Sequence, residues 1–113
     1  MTFRKIKNVF FVGIGGIGMS GIAELLMNLG FTISGSDMNA NENVKRLKEM
    51  GVKIKIGHDP SNLPKDIDVL VYSSAVPIEN IEIVRARQKS IPIIRRAEML
   101  GELISVKETS IGV

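Results

Sequence analysis

The chain contains no cysteine and no tryptophan, and its single histidine is His58. Without cysteine there is no disulfide framework and no thiolate metal site, and one imidazole cannot form a histidine cluster in their place. Aromatic side chains are scarce too: four Phe and one Tyr, none interleaved with the basic cluster at 85–96. That leaves no stacking platform for single-stranded nucleic acid, which is a poor candidate partner. No apolar run approaches the ~20 residues needed to cross a bilayer. The opening MTFRKIKN leads into a strand pattern and not into a signal-peptide core, so a cytoplasmic protein is expected.

What is present fits one domain with its own core: 113 residues, 44% hydrophobic and 24% charged. The net charge of +3 is mild. Its densest cluster is Arg85, Arg87, Lys89, Arg95 and Arg96, which reads either as a solvated helix face or as help for an anionic ligand.

Strand-like and helix-like segments alternate. Asn8 to Gly13 carries the contiguous apolar run Val9, Phe10, Phe11 and Val12, the pattern of a strand covered on both faces. Ile22, Leu25, Leu26 and Leu29 recur at helical spacing before Gly30. Phe31 to Ser36 predicts a second strand, and 41–50 a second helix with Val44 and Leu47 inward. Val52 to Ile56 alternates with Lys53 and Lys55, as a half-wet edge strand would. Beyond a polar loop, Asp68 to Ser74 predicts a fourth strand, 79–89 a helix, and Ile91 to Ile94 a short fifth strand whose Pro92 suits an edge. Another helix is expected over 96–104, and ETSIGV reads as the start of a sixth strand.

This alternation predicts an α/β fold: a Rossmann-like open parallel sheet of five strands, order 3-2-1-4-5, with helices on both faces. Ligands of such sheets bind beyond the carboxyl ends of the strands where the order reverses, here between the first and fourth strands.

GIGGIG faces that crevice. Gly13, Gly15 and Gly18 satisfy G-x-G-x-x-G between a strand and a helix, where Gly13 permits the turn, Gly15 admits a pyrophosphate and Gly18 lets the helix pack close. The helix start then attracts phosphate through free amides and its dipole. A turn that serves only the fold is the alternative. Asp37 follows Gly18 by nineteen residues, where the dinucleotide fingerprint has its acidic group; it accepts from a ribose or base edge, or else it or Asn41 caps the second helix. Ser36 adds a hydroxyl. Ser73, Ser74 and Ala75 end the fourth strand at the crevice, for a ligand or for a local turn. His58 is either a solvated loop residue or a base contact. No catalytic triad, H-E-x-x-H or Walker phosphate loop occurs, so residue chemistry alone predicts a nucleotide-diphosphate binder without a reaction centre.

The wording of the motifs is more specific than their pattern. FVGIGGIGMSGIAELL, ISGSD, GHDPSNL, VYSSAVP and IPIIRRAEML, in that order and over essentially the whole chain, resemble the N-terminal domain of the Mur ligases. The resemblance implies a domain, residues 1–105, that holds the UDP moiety of UDP-N-acetylmuramic acid, with 106–113 beginning a central ATP-binding domain. It implies that amides around Gly15, Gly16, Ile17 and Gly18 receive the diphosphate. Asp37 and Ser36 would contact the uridine, His58 the uracil side, and Ser73, Ser74 and Ala75 the diphosphate and amino sugar. Arg95, Arg96 and Glu98 match a family motif whose role, ligand contact or helix packing, stays open. L-alanine, ATP and magnesium would belong to other domains, because the chain stops at Ile111-Gly112-Val113, short of the family's phosphate loop; no catalysis and no cofactor is expected of this stretch by itself. Two rivals remain: the NAD domain of an oxidoreductase, and a regulatory module that senses nucleotides.

Overall fold

A computed structural model of the chain describes residues 6–95. The elements are β1 (Asn8–Val12), α1 (Met19–Asn28), β2 (Thr32–Asp37), α2 (Glu42–Glu49), β3 (Lys53–Ile56), a 3-10 turn (Pro60–Asn62), β4 (Val69–Tyr72), α3 (Ile81–Gln88) and β5 (Ile93–Arg95). The strands form one parallel sheet in the order β3-β2-β1-β4-β5, as the alternation predicts. The helix expected over 96–104 and the sixth strand lie outside the described residues.

β1 sits at the centre and is covered on both faces. Val9 and Phe11 join a core with α1 and α2, including Met19, Ala23, Leu26, Val44 and Leu47. Phe10 and Val12 join a second core with Leu70, Ile83 and Ala86 under α3. The period-two alternation of strand side chains therefore divides the molecule into two layers, one on each side of the sheet. β3 lies at one edge of the sheet, and among its residues only Ile54 is buried.

The first helix buries only part of its expected apolar stripe, Leu26 and in part Ile22. Its buried stripe is Met19, Ser20, Ala23 and Leu26, while Leu25 and Leu29 are exposed. Small side chains at Ser20 and Ala23 let the helix approach the sheet closely, which rotates the larger leucines outward. An Arg46–Glu24 ion pair ties α2 to α1 at the surface, where such pairs contribute little.

Gly35 fixes the register of β2 against β1. It pairs with Phe11, and a Cβ there would lie 2.5 Å from the Phe11 carbonyl oxygen and 2.9 Å from Ile14 Cδ1. No side chain fits that position.

Candidate functional site

The turn after β1 is held from both ends. Gly13 and Ile14 donate their amides to the Ser36 carbonyl, and Gly16 donates back to the Gly13 carbonyl at 3.0 Å. The Gly15 peptide is clamped on both sides: its amide donates to Asp37 Oδ2 at 2.8 Å, and its carbonyl accepts from Asn41 Nδ2 and Asn43 Nδ2, each at 3.2 Å. Asp37 Oδ1 accepts from the Asn39 amide, so both of its oxygens hold backbone.

This geometry changes the reason for Gly15. A Cβ there would point into the protein, 2.7 Å from Val44 Cγ2 and 2.8 Å from Asn41 Oδ1, so the glycine is required by the approach of α2. Gly18 is required by conformation, because it caps α1 with φ of 80°, a left-handed backbone that side chains disfavour. The Ile17 and Gly18 amides have no partner among the described residues, and both residues are exposed.

Among the described residues, α1 starts differently from α2 and α3. Asn41 caps α2, accepting from the Val44 amide, which gives the capping role to Asn41 and leaves Asp37 to the loop. Asn80 caps α3, accepting from the Glu82 and Ile83 amides. No side chain caps α1. Its start keeps unsatisfied donors and the positive end of the helix dipole turned outward, at the strand ends where β1 and β4 diverge.

The β4 exit closes the same crevice. Ser73 donates its amide to the Val12 carbonyl, and its hydroxyl accepts from the Ala75 amide at 3.1 Å. A Cβ on Gly13 would come 3.1 Å from Val76 Cγ2 and 3.7 Å from Ser73 Cβ, so the two loops are in contact. Ser74 and Ala75 are exposed, and the Ser74 amide has no partner among the described residues.

Ser36 and Asp37 are adjacent in sequence but serve opposite layers. Ser36 is fully buried on the α3 side, where its hydroxyl donates to Glu82 Oε1 at 2.6 Å and lies 3.1 Å from His58 Nδ1. His58 Nδ1 is 2.8 Å from the same Glu82 oxygen. The other oxygen accepts from Asn62 Nδ2 at 2.6 Å and from the Asp59 amide at 3.2 Å. Asn62 also donates to the Gly57 carbonyl. Glu82 has no exposed surface.

The site expectations therefore fall into three places. The glycine turn and Asp37 come together, Ser73 to Ala75 meet the turn through Gly13, and Ser36 joins His58. Sequence reasoning passed over Glu82, Asn62, Asn41 and Asn43 as binders of the site. One signal existed for Glu82, an acidic residue in the first turn of a helix, a position that favours negative charge.

The loop carrying His58 is shaped by Asp59, which accepts from the Ser61 hydroxyl at 2.6 Å and the Ser61 amide at 2.8 Å. These two donors, the hydroxyl first, hold the Asp59 carboxyl below its ordinary range.

Elsewhere, a cleft of about 550 Å³ lined by Lys7, Lys65, Lys89 and Asp68 opens at the amino ends of the strands, the edge that open α/β sheets do not use for ligands. Among the described residues there is no group of three or more His, Asp or Glu side chains placed to hold a metal, and no helix long and apolar enough to cross a membrane.

A parallel five-stranded sheet with a glycine turn and an uncapped helix at its switch point defines a Rossmann-like class of α/β domain. Residues 8–108 match the model of the Mur ligase family, catalytic domain, and the chain belongs to that family. It is 54% identical over 108 residues to UDP-N-acetylmuramate--L-alanine ligase of Aquifex aeolicus, covering 96% of this chain and 24% of that one. Against the enzyme of the same name from Pelobacter propionicus it is 53% identical, covering 93% and 23%. The chain thus spans about a quarter of the length of these relatives. Among solved structures, UDP-N-acetylmuramate-alanine ligase from Thermotoga maritima superposes with a TM-score of 0.81 at 35% identity, over 87% of this chain and 23% of that one. Shikimate dehydrogenase from Aquifex aeolicus, at 14% identity and a TM-score of 0.50 over 96% of this chain and 50% of that one, shares the fold alone.

Proposed function

We propose that this chain is the UDP-sugar-binding domain of an ATP-dependent UDP-N-acetylmuramate:L-alanine ligase, and that residues 1–105 hold the UDP moiety of UDP-N-acetylmuramic acid. The observation that carries the reading is the uncapped start of α1, with the Ile17 and Gly18 amides unengaged at the switch point. The names of the relatives, which are UDP-N-acetylmuramate--L-alanine ligases, support the UDP sugar as the ligand.

In this reading the diphosphate lies against Ile17, Gly18 and the first turn of α1, where backbone donors and the dipole favour negative charge without any lysine. Gly13 and Gly16 shape the turn, and Gly15 with Asp37 fixes it in place. Ser73, Ser74 and Ala75 border the diphosphate and the amino sugar from the β4 side. Ser36 and His58 stand at the uridine end. ATP and magnesium, held elsewhere in the parent ligase, would supply the activation of the sugar's carboxylate, and L-alanine the amine that forms the new amide as phosphate leaves. In this reading the work of these residues is to bind and orient the UDP sugar.

Calorimetric titration of the chain with UDP-N-acetylmuramic acid, NADH and AMP tests the reading. Binding of the UDP sugar, with neither of the others competing, is the expected result. Binding of NADH without the UDP sugar would transfer the site to the oxidoreductase rival, and binding of AMP alone to the regulatory one.

A further inference from the structure

Glu82 is a fully buried carboxylate on α3, outside every motif that the sequence offers. Three groups donate to it, the Ser36 hydroxyl on one oxygen and the Asn62 amide group and the Asp59 backbone amide on the other, and His58 Nδ1 lies 2.8 Å from the oxygen that Ser36 holds. A carboxylate satisfies all three donors at once. Were His58 Nδ1 without its hydrogen, its lone pair would face a carboxylate oxygen at 2.8 Å. The hydrogen bond therefore places the proton of neutral His58 on Nδ1, as a carboxylate partner generally fixes a histidine tautomer.

The consequence falls on the other nitrogen. His58 Nε2 has no partner among the described residues. No buried side-chain nitrogen or oxygen among them lacks a partner, so Nε2 reaches the surface. With Nδ1 protonated, Nε2 presents a lone pair. We infer that Glu82 is a positioning residue: it holds His58 as the Nδ1–H tautomer, so that Nε2 is an acceptor for an N–H or O–H donor at the nucleoside end of the ligand. Ser36, hydrogen-bonded to both groups, restrains the ring from the sheet side, and Asn62 ties the carboxylate to the loop that carries His58. The inference rests on the UDP-sugar reading for the ligand, but its tautomer component does not.

Two measurements on the whole chain test it. Long-range proton–nitrogen NMR correlations of the ligand-free wild type at mildly alkaline pH read the His58 tautomer directly, with no variant and no ligand. A protonated Nδ1 with an unprotonated Nε2 is expected; the opposite tautomer overturns the inference, even if UDP-N-acetylmuramic acid binds. The second is a double-mutant cycle of Glu82→Gln and His58→Ala, read by affinity for UDP-N-acetylmuramic acid. Each single change should weaken binding roughly tenfold, one hydrogen bond's worth. The double variant should be no weaker than His58→Ala, because Glu82 acts through the ring. Additive losses would make Glu82 merely structural. A wild type that fails to bind the UDP sugar while showing the expected tautomer would remove the functional reading and leave the role of Glu82 toward His58 standing.

Discussion

The two faces of the sheet build their halves of the site by different means. On the α1 and α2 side, the glycine turn is held by a peptide clamp: Asp37 takes the Gly15 amide, and Asn41 and Asn43 take its carbonyl. On the α3 side, a single buried carboxylate gathers a serine from β2 and a histidine, an asparagine and a backbone amide from the loop after β3. The first half positions backbone, and tolerates partial exposure. The second positions side chains away from water, where losing the central group leaves buried donors unpaired.

The largest expected effect breaks that contrast at its strongest point. Glu82→Ala should cost about 3 to 5 kcal/mol of folding stability, the scale for removing one partner of a buried charged network, read by urea denaturation. Asp37→Ala, which releases one buried and one part-buried backbone amide and no side-chain network, should cost less, about 1 to 3 kcal/mol. Equal losses would mean that the two halves do not differ in the way their burial implies.

Next comes the clamp itself. Gly15→Val should destabilise the chain by about 1 to 3 kcal/mol, the range for overpacking, because its side chain drives against Val44 and Asn41. Binding of the UDP sugar should fall with the displacement of α2. A variant with full stability but no binding would restore the ligand to the place that the structure gives to the helix.

The smallest effect concerns the loop that carries His58. Ser61→Ala removes the larger of the two donors that hold the Asp59 carboxyl below its ordinary range, so its NMR-monitored titration should move upward. The sign follows from linkage: a carboxyl whose folded pKa is depressed contributes stability above its unfolded pKa and loses it as pH falls through the folded value. The wild-type loop should therefore loosen at lower pH than the variant. An unchanged titration would deny Ser61 that role.

The sequence marked the glycine turn and Asp37 of the first half and Ser36 and His58 of the second, but not Glu82 and Asn62, which join them. Glycine spacing, the strand before it and the acidic residue after it are local, and local patterns survive in one dimension. The strand order was legible for the same reason, since each right-handed crossover follows from the alternation of elements. The apolar spacing of α1 misled in part, because Leu25 and Leu29 look like a core stripe until Ser20 and Ala23 are seen against the sheet. Glu82 was invisible because its partners Ser36 and Asn62 are 46 and 20 residues away, and a glutamate early in a helix ordinarily faces water. Only the topology, which packs α3 beside β4, β5 and the 3-10 turn and so brings Glu82 to Ser36 of β2, gives it a purpose.

Gly35 carries this division further than its size suggests. The strand it interrupts is a two-track ribbon, on which Ser36 and Asp37 deliver a hydroxyl to one compartment and a carboxylate to the other. A shift of one position would exchange the deliveries, and the glycine forbids it, since only its bare Cα fits beneath the Phe11 carbonyl. It acts as an indexing notch: a residue that touches no ligand decides which chemistry reaches each side of the crevice.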